Sequence, residues 1–248
     1  ATEVLTDLAI EWVGRQERPW FLWLAYNAPH APFHAPPAEM HSQGALPEFR
    51  TGMDPTAHYM AAVEALDYQL GRLLVSLTPA ERAQTTIIFV GDNGSPRAVA
   101  QAPYGATTSK GSLYQGGINT PLVVSGRQVT RTGTDDSIIN STDLFATIAE
   151  LAGVEVSEIG DSKSFLSLLS SGGTHREFAY SAIEEDGGIS WTVRDRRHKL
   201  IVRAGGEEEM FDLLADPYEQ VDLHDAGLDD SQLQTKATMN AWLVSIGG

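Results

Sequence analysis

Three short, largely apolar runs, WFLWLAY (20–26), TTIIFV (85–90) and PLVVS (121–125), alternate with amphipathic stretches and stop in Gly-, Pro- or Asn-rich segments. Runs of this length are too short for buried helices. They are also too continuous for strands with one wet face, so they read as strands covered on both sides, as in parallel sheets flanked by helices. The stretches between them carry helical spacing. Residues 3–13 place Val4, Leu5, Leu8 and Trp12 on one face, with Thr2 as an N-cap. Residues 56–77 repeat Tyr59, Val63, Leu66, Leu70, Leu73 and Leu77 at three- and four-residue steps, set Glu64, Gln69 and Arg72 elsewhere, and end at Thr78-Pro79. Residues 142–153 put Leu144, Phe145, Ile148 and Leu151 inward, with Gly153 closing the helix.

After about residue 172 the period changes from helical to two. FAYSAI, SWTVRD, HKLIVR and EMFDL stand at hairpin spacing, and residues 231–246 read as a covering helix. The expected architecture is α/β: a mixed sheet flanked by helices over residues 1–172, and a small C-terminal α+β lobe built on an antiparallel sheet over residues 173–248. With 248 residues, 42% of them hydrophobic, the chain is large enough to bury a core.

Acidic residues outnumber basic ones 33 to 17, a formal net charge of −16. Such a surface repels phosphate backbones and anionic lipid, and no apolar run is long enough to span a bilayer. Nucleic acid and membrane are therefore not expected partners. Ten of the acids lie between Glu207 and Asp230 with no Lys or Arg among them, which reads as a solvated acidic face. The first residues carry no basic segment followed by an apolar one, so no signal peptide is expected in this chain, which reads as soluble with its compartment open. The absence of cysteine removes disulfides, Cys-based zinc sites and a cysteine nucleophile.

In an open α/β sheet, ligands bind beyond the carboxyl ends of the strands. Asp92 and Asn93, between Gly91 and Gly94, follow the second run directly. Their carboxylate and carboxamide offer the hard oxygens that Ca²⁺ or Mg²⁺ prefers; the same four residues also make a plain turn. His30 follows the first run in the proline-rich NAPHAPFHAPPAEM, stiffened by Pro29 and Pro32. It can donate to an anionic oxygen or protonate a leaving group, or be a surface histidine. His34, four residues on, is a further candidate metal ligand. Lys110, in TTSKGSLYQGG, offers a point charge to a sulfate or phosphate oxygen, or is merely solvated; it precedes its Gly, so this is no P-loop.

Taken in order, AYNAPHAPFHAP, HYMAAVEALDYQLGRLL, TTIIFVGDNG, SKGSLYQGGINTPLVV, STDLFATIAELAG, and VRDRRHKLIV with EMFDLLADPYEQVDL resemble the sulfatase family of the alkaline-phosphatase superfamily. The resemblance covers nearly the whole chain and corresponds to the later part of the family's pattern. It implies a large α/β lobe followed by a lobe on a four-stranded antiparallel sheet. It also implies roles: Asp92 and Asn93 as the later pair of Ca²⁺ ligands, Lys110 as the sulfate-binding lysine, and His30, in H-x-P-x-x-x-P, as the histidine facing the sulfate and leaving-group oxygen. The family further carries, before the equivalent of residues 20–26, a strand with paired Asp ligands and a C/S-x-P-x-R element whose Cys or Ser becomes formylglycine. No Cys exists here and Ser95-Pro96-Arg97 has the wrong spacing and place, so formylglycine is not possible in this chain. Gln115 and Asn119 stand where the family usually has Glu and Arg, which reads as a lost ion pair.

Three functions follow as expectations. The first is a sulfatase-family, metal-dependent hydrolase of aryl-type sulfate esters, present here without its nucleophile segment. The second is an autonomous truncated hydrolase using metal-bound water on phosphoesters, phosphotriesters included. The third is a non-catalytic, oligomerising remnant. The expected cofactor is a divalent metal, Ca²⁺ first, with Zn²⁺ or Mn²⁺ for an autonomous site. Beyond the small anionic ester, the expected partner is a second copy or a complementary N-terminal segment, because a sheet without its first strands exposes apolar edges and faces.

Overall fold

The computed structural model describes residues 1–155, 157–185 and 187–246. The chain forms two compact units, Ala1–Thr85 and Thr86–Gly248, and the expected boundary near residue 172 falls inside the second.

The first unit contains helices α1 (Thr2–Val13), α2 (Thr56–Ser76) and α3 (Pro79–Gln84). The helices lie where periodicity puts them, but their buried faces differ. Helix α1 buries Thr6, Ala9 and Val13 and leaves Val4 and Leu8 58% and 56% exposed. Helix α2, packed against α1, buries His58, Ala61, Ala62, Ala65 and Gln69. Small side chains on the buried faces let two helices approach closely, and the bulkier Leu residues of α2 flank that seam half-buried. Gln69, expected outward, is fully buried and accepts a 2.8 Å hydrogen bond from Arg72, which also bridges to Asp7 of α1 at 2.8 Å. Thr78 and Glu81 cap α3 reciprocally, so the expected helix stop is also a helix start.

Residues 20–26 form no regular secondary structure and pair with no strand among the described residues, and Phe21 and Trp23 are 60% and 63% exposed. The expected strand buried on both faces is therefore not formed here. A strand exists only through its neighbours' hydrogen bonds, and no strand of the described first unit stands beside this run. Tyr26 instead shares a 2.8 Å hydrogen bond with Thr6 of α1.

The second unit begins with β1 (Thr86–Val90), which pairs with β2 (Leu122–Gly126) in antiparallel register from Thr86↔Gly126 to Val90↔Leu122. Both strands match expected positions. Their antiparallel pairing fits the mixed sheet expected but not the parallel reading of the individual runs, and the expected cover on both faces is absent at Phe89 and Val123, which are 37% and 58% exposed. Between them lies helix α4 (Gln115–Ile118); after them come α5 (Asp143–Leu151) and a small hairpin of β3 (Glu158–Ile159) and β4 (Ser162–Lys163). Helix α5 buries Asp143, Ala146 and Thr147 and turns Phe145 out, again reversing the expected face. The buried Asp143 carboxylate accepts hydrogen bonds from Arg176 Nε at 2.8 Å and from the backbone of Asn140 and Lys163, both at 2.9 Å.

The C-terminal sheet matches expectation. Strands β5 (Ala179–Glu185), β6 (Gly188–Arg194), β7 (His198–Val202) and β8 (Glu208–Asp212) run antiparallel in that order, followed by helices α6 (Leu223–Ala226) and α7 (Asp230–Ser245). Period-two alternation sends Val193, Leu200 and Met210 to one face, where they pack with Met239 and Leu243 of α7. Ile201 and Phe211 go to the other face and pack with Leu113 and Tyr114, just before α4. The strand β7 is thus covered on both sides. The acids at 207–230 are not simply a solvated face: Glu209, Asp212, Glu219 and Asp222 accept hydrogen bonds from Arg203, Arg197, Lys199 and the Met210 amide. Their cationic partners lie on other strands and turns, where a local charge count misses them.

Candidate oxyanion and metal site

Strand β1 delivers Gly91 directly to its partner strand's end, where the Gly91 amide donates to Pro121 O at 3.0 Å. Asp92 and Asn93 follow, both exposed. The Asn93 backbone amide donates to Asp92 Oδ1 at 2.9 Å and its side-chain Nδ2 to Oδ2 at 2.8 Å, so the two side chains meet. Two backbone bonds fasten this turn to the loop that carries Lys110. The Lys110 amide donates to Ser95 O at 3.0 Å, and the Gly94 amide to Gly117 O at 2.9 Å. A Cβ at Gly94 would lie 1.9 Å from Gly116 O, and one at Gly116 would lie 2.2 Å from Thr108 O. Only glycine allows these backbones to come so close.

Lys110 is half-buried, and its ammonium makes no hydrogen bond or ion pair among the described residues. The loop beyond it is anchored to the C-terminal sheet at two successive residues. The Tyr114 hydroxyl donates to Glu209 and accepts from Arg203 Nη2 at 3.1 Å; burial, then the bond to Glu209, push the phenol up to about 12. The Gln115 backbone amide donates to Glu219 Oε2 at 2.5 Å.

His30 and His34 lie in the first unit, apart in sequence from these loops. His30 is exposed between two cis prolyl bonds, Ala28-Pro29 and Ala31-Pro32; its amide donates to Asn27 O at 2.8 Å and its Nδ1 lies 2.8 Å from Ala31 O. His34, also exposed, has Nδ1 3.4 Å from Pro32 O. Two open surface depressions, one lined by Glu150, Gly153 and Glu155, the other by Arg127, Gln128 and Leu166, include none of these residues.

Sulfatases generally use a divalent metal. Asp92 and Asn93 match such an ion in kind, as adjacent hard oxygens beyond a strand end, but they are too few for the six to eight ligands of Ca²⁺. Among the described residues no group of three His, Cys, Asp or Glu completes a shell. The sequence reading missed Lys199 and Glu219, which lie behind the Lys110 loop. A lysine at an inward position of a period-two strand, in HKLIVR, was the available signal.

Comparison with known proteins accords with this geometry. The sequence matches the Sulfatase family over residues 1–154. Uncharacterized sulfatase YdeN of Escherichia coli (strain K12) is 31% identical over 165 residues, 62% of this chain and 28% of that protein. Arylsulfatase A of Homo sapiens is 27% identical over 212 residues, 82% of this chain and 39% of that protein. The crystal structure of Ps i-CgsB superposes with a TM-score of 0.79 at 25% identity, covering 97% of this chain and 54% of that one. The phosphonate monoester hydrolase of Agrobacterium radiobacter shares the fold, with a TM-score of 0.73 at 20% identity over 98% of this chain and 60% of that one. The chain spans less than half the length of both curated relatives. Its family match nevertheless extends over more than half of its residues, and the chain belongs to the sulfatase family.

Proposed function

We propose that this chain carries the oxyanion-binding and later metal-binding loops of a hydrolase of sulfate esters, aryl sulfates first. One observation carries the reading: the Asp92–Asn93 turn and the Lys110 loop are locked together by backbone bonds at the carboxyl end of β1, with a Lys110 ammonium unpaired among the described residues. In this role Lys110 binds a sulfate oxygen as a point charge, and the stiff backbone behind it fixes where that charge sits. Asp92 and Asn93 would hold a divalent cation, Ca²⁺ first, whose chemistry is to offset charge on an ester oxygen. His30, held by its own backbone contacts in the proline-rich loop, protonates the departing alcohol oxygen. His34 is a further metal ligand only in the autonomous form of the site. The attacking group, a Cys or Ser of the family's C/S-x-P-x-R element, is supplied by a complementary segment, and the functional lobes are those of residues 1–172 and 173–248.

The adjacent hard oxygens of Asp92 and Asn93 favour a second reading, metal-assisted hydrolysis of phosphoesters without a protein nucleophile. Turnover assays separate the two. We expect no aryl-sulfate hydrolysis by the chain alone, and turnover once a polypeptide bearing the family's C/S-x-P-x-R element is added. Phosphoester hydrolysis by the chain alone, abolished by EDTA and by Asp92→Ala, would replace the first reading with the second.

A further inference from the structure

Behind the Lys110 loop lies an ion pair that the chemistry above does not use. Lys199 of β7 and Glu219 both have fully buried side chains, with Nζ and Oε1 2.5 Å apart. Glu219 is the non-glycine residue with a positive φ, 57°, among the described residues, so the turn after β8 is bent to bring this carboxylate inward. Its other oxygen accepts the Gln115 amide at 2.5 Å. Gln115 opens α4; Gly117 of the same helix accepts the Gly94 amide, and Gly94 adjoins Asn93. Leu113 and Tyr114 pack on the same sheet face, beside Ile201 and Phe211. A continuous set of contacts therefore runs from the ion pair to the metal-ligand candidates. A buried pair of this kind is costly to desolvate and adds little stability over an apolar pair, so its contribution lies in the bonds it makes rather than in stability alone.

We propose that Glu219, held by Lys199, is the positioning residue of the oxyanion and metal loops, clamping α4 and through it the Asp92–Asn93 turn and the Lys110 loop onto the C-terminal sheet. The proposal rests on the reading of those loops as the site. The clamp is also sensitive to proton loss. Burial pulls the Lys199 ammonium down to about 8, against the opposing pull of Glu219; Arg194 on β6 adds to the lowering, and Glu209 on β8 opposes it. Tyr104 also faces Glu219. Loss of the Lys199 proton leaves the buried carboxylate without its counter-charge and loosens α4.

The test uses the full chain in Ca²⁺-containing buffer, with amide hydrogen exchange and sulfate titration between pH 6.5 and 9.5. In Glu219→Ala, exchange at Gly94, Lys110 and Gly117 should rise about tenfold or more while Val193 and Leu200 in the sheet keep their protection. Sulfate affinity of the wild type should fall as pH rises through about 8. The paired variant K199M/E219Q keeps the volume and the acceptor for the Gln115 amide, so it remains testable if Glu219→Ala does not fold. It should bind sulfate without that inflection. Unchanged loop exchange in Glu219→Ala, sheet amides opening together with the loops, or a wild-type inflection retained in K199M/E219Q would each overturn the clamp. Absence of sulfate binding by the wild type would instead strike the site reading, leaving the exchange pattern to decide on the clamp alone.

Discussion

Gly94 shows how closely this site is built, because its missing side chain is what lets the Asp92–Asn93 turn rest on α4. Gly94→Ala places a methyl 1.9 Å from a backbone carbonyl that cannot rotate away. The backbone must shift, and we expect a loss of about 1–3 kcal/mol in denaturant titration, with weakened sulfate binding. Wild-type stability with unchanged binding would mean that the loops are not locked. Asp143 makes a second residue-scale prediction. Burial raises its carboxyl, but Arg176 and the amides of Asn140 and Lys163 outweigh that and hold it below its usual 3.8. Because the folded value is depressed, the stabilisation is fully present above pH 3.8 and is lost as pH falls through the folded value. Asp143→Asn should flatten the fall of Tm in that acid range; an unchanged acid slope would contradict the assignment.

Among the elements, helices and strands were legible where the signal is local. Alternation in FAYSAI, SWTVRD, HKLIVR and EMFDL located β5–β8 because each strand's neighbours are the next hairpin arms in sequence. Periodicity likewise located α1, α2 and α5. It could not say which face would be covered, since that depends on the elements opposite: Leu8 and Phe145 face outward while Thr6, Gln69 and Asp143 are buried. Residues 20–26 failed for the same reason, as an apolar run becomes a strand only beside another. The placement of Asp92 and Asn93 just beyond a strand was legible, because the apolar run before them does form β1. Glu219 was not, because it lies in an acid-rich stretch and its meaning depends on a lysine 20 positions earlier in sequence. Strand β7, covered on both faces, should be the least tolerant element. Leu200→Ala is expected to cost about 2–5 kcal/mol in chemical denaturation. A cost under 1 kcal/mol would show that the sheet core is not closed by α7.

At the scale of the molecule, Val4, Leu8, Phe21 and Trp23 leave the first unit with much exposed apolar surface. Surfaces of that kind demand a partner, so the isolated chain should self-associate with increasing concentration in light scattering. A sharp monomer at high concentration would contradict this. Among the described residues no helix is long and apolar enough to cross a membrane. On the proposed reading an anionic ester would approach against a net charge of −16, and its binding would depend on the local exceptions, Lys110 and a cation held by Asp92 and Asn93. Calorimetric titration of sulfate in the presence of Ca²⁺ measures this most directly. Wild-type protein should bind, Lys110→Ala should bind about tenfold more weakly or worse, and Asp92→Ala should lose the dependence on Ca²⁺. Equal binding by all three proteins, with or without Ca²⁺, would show that these loops are not the site.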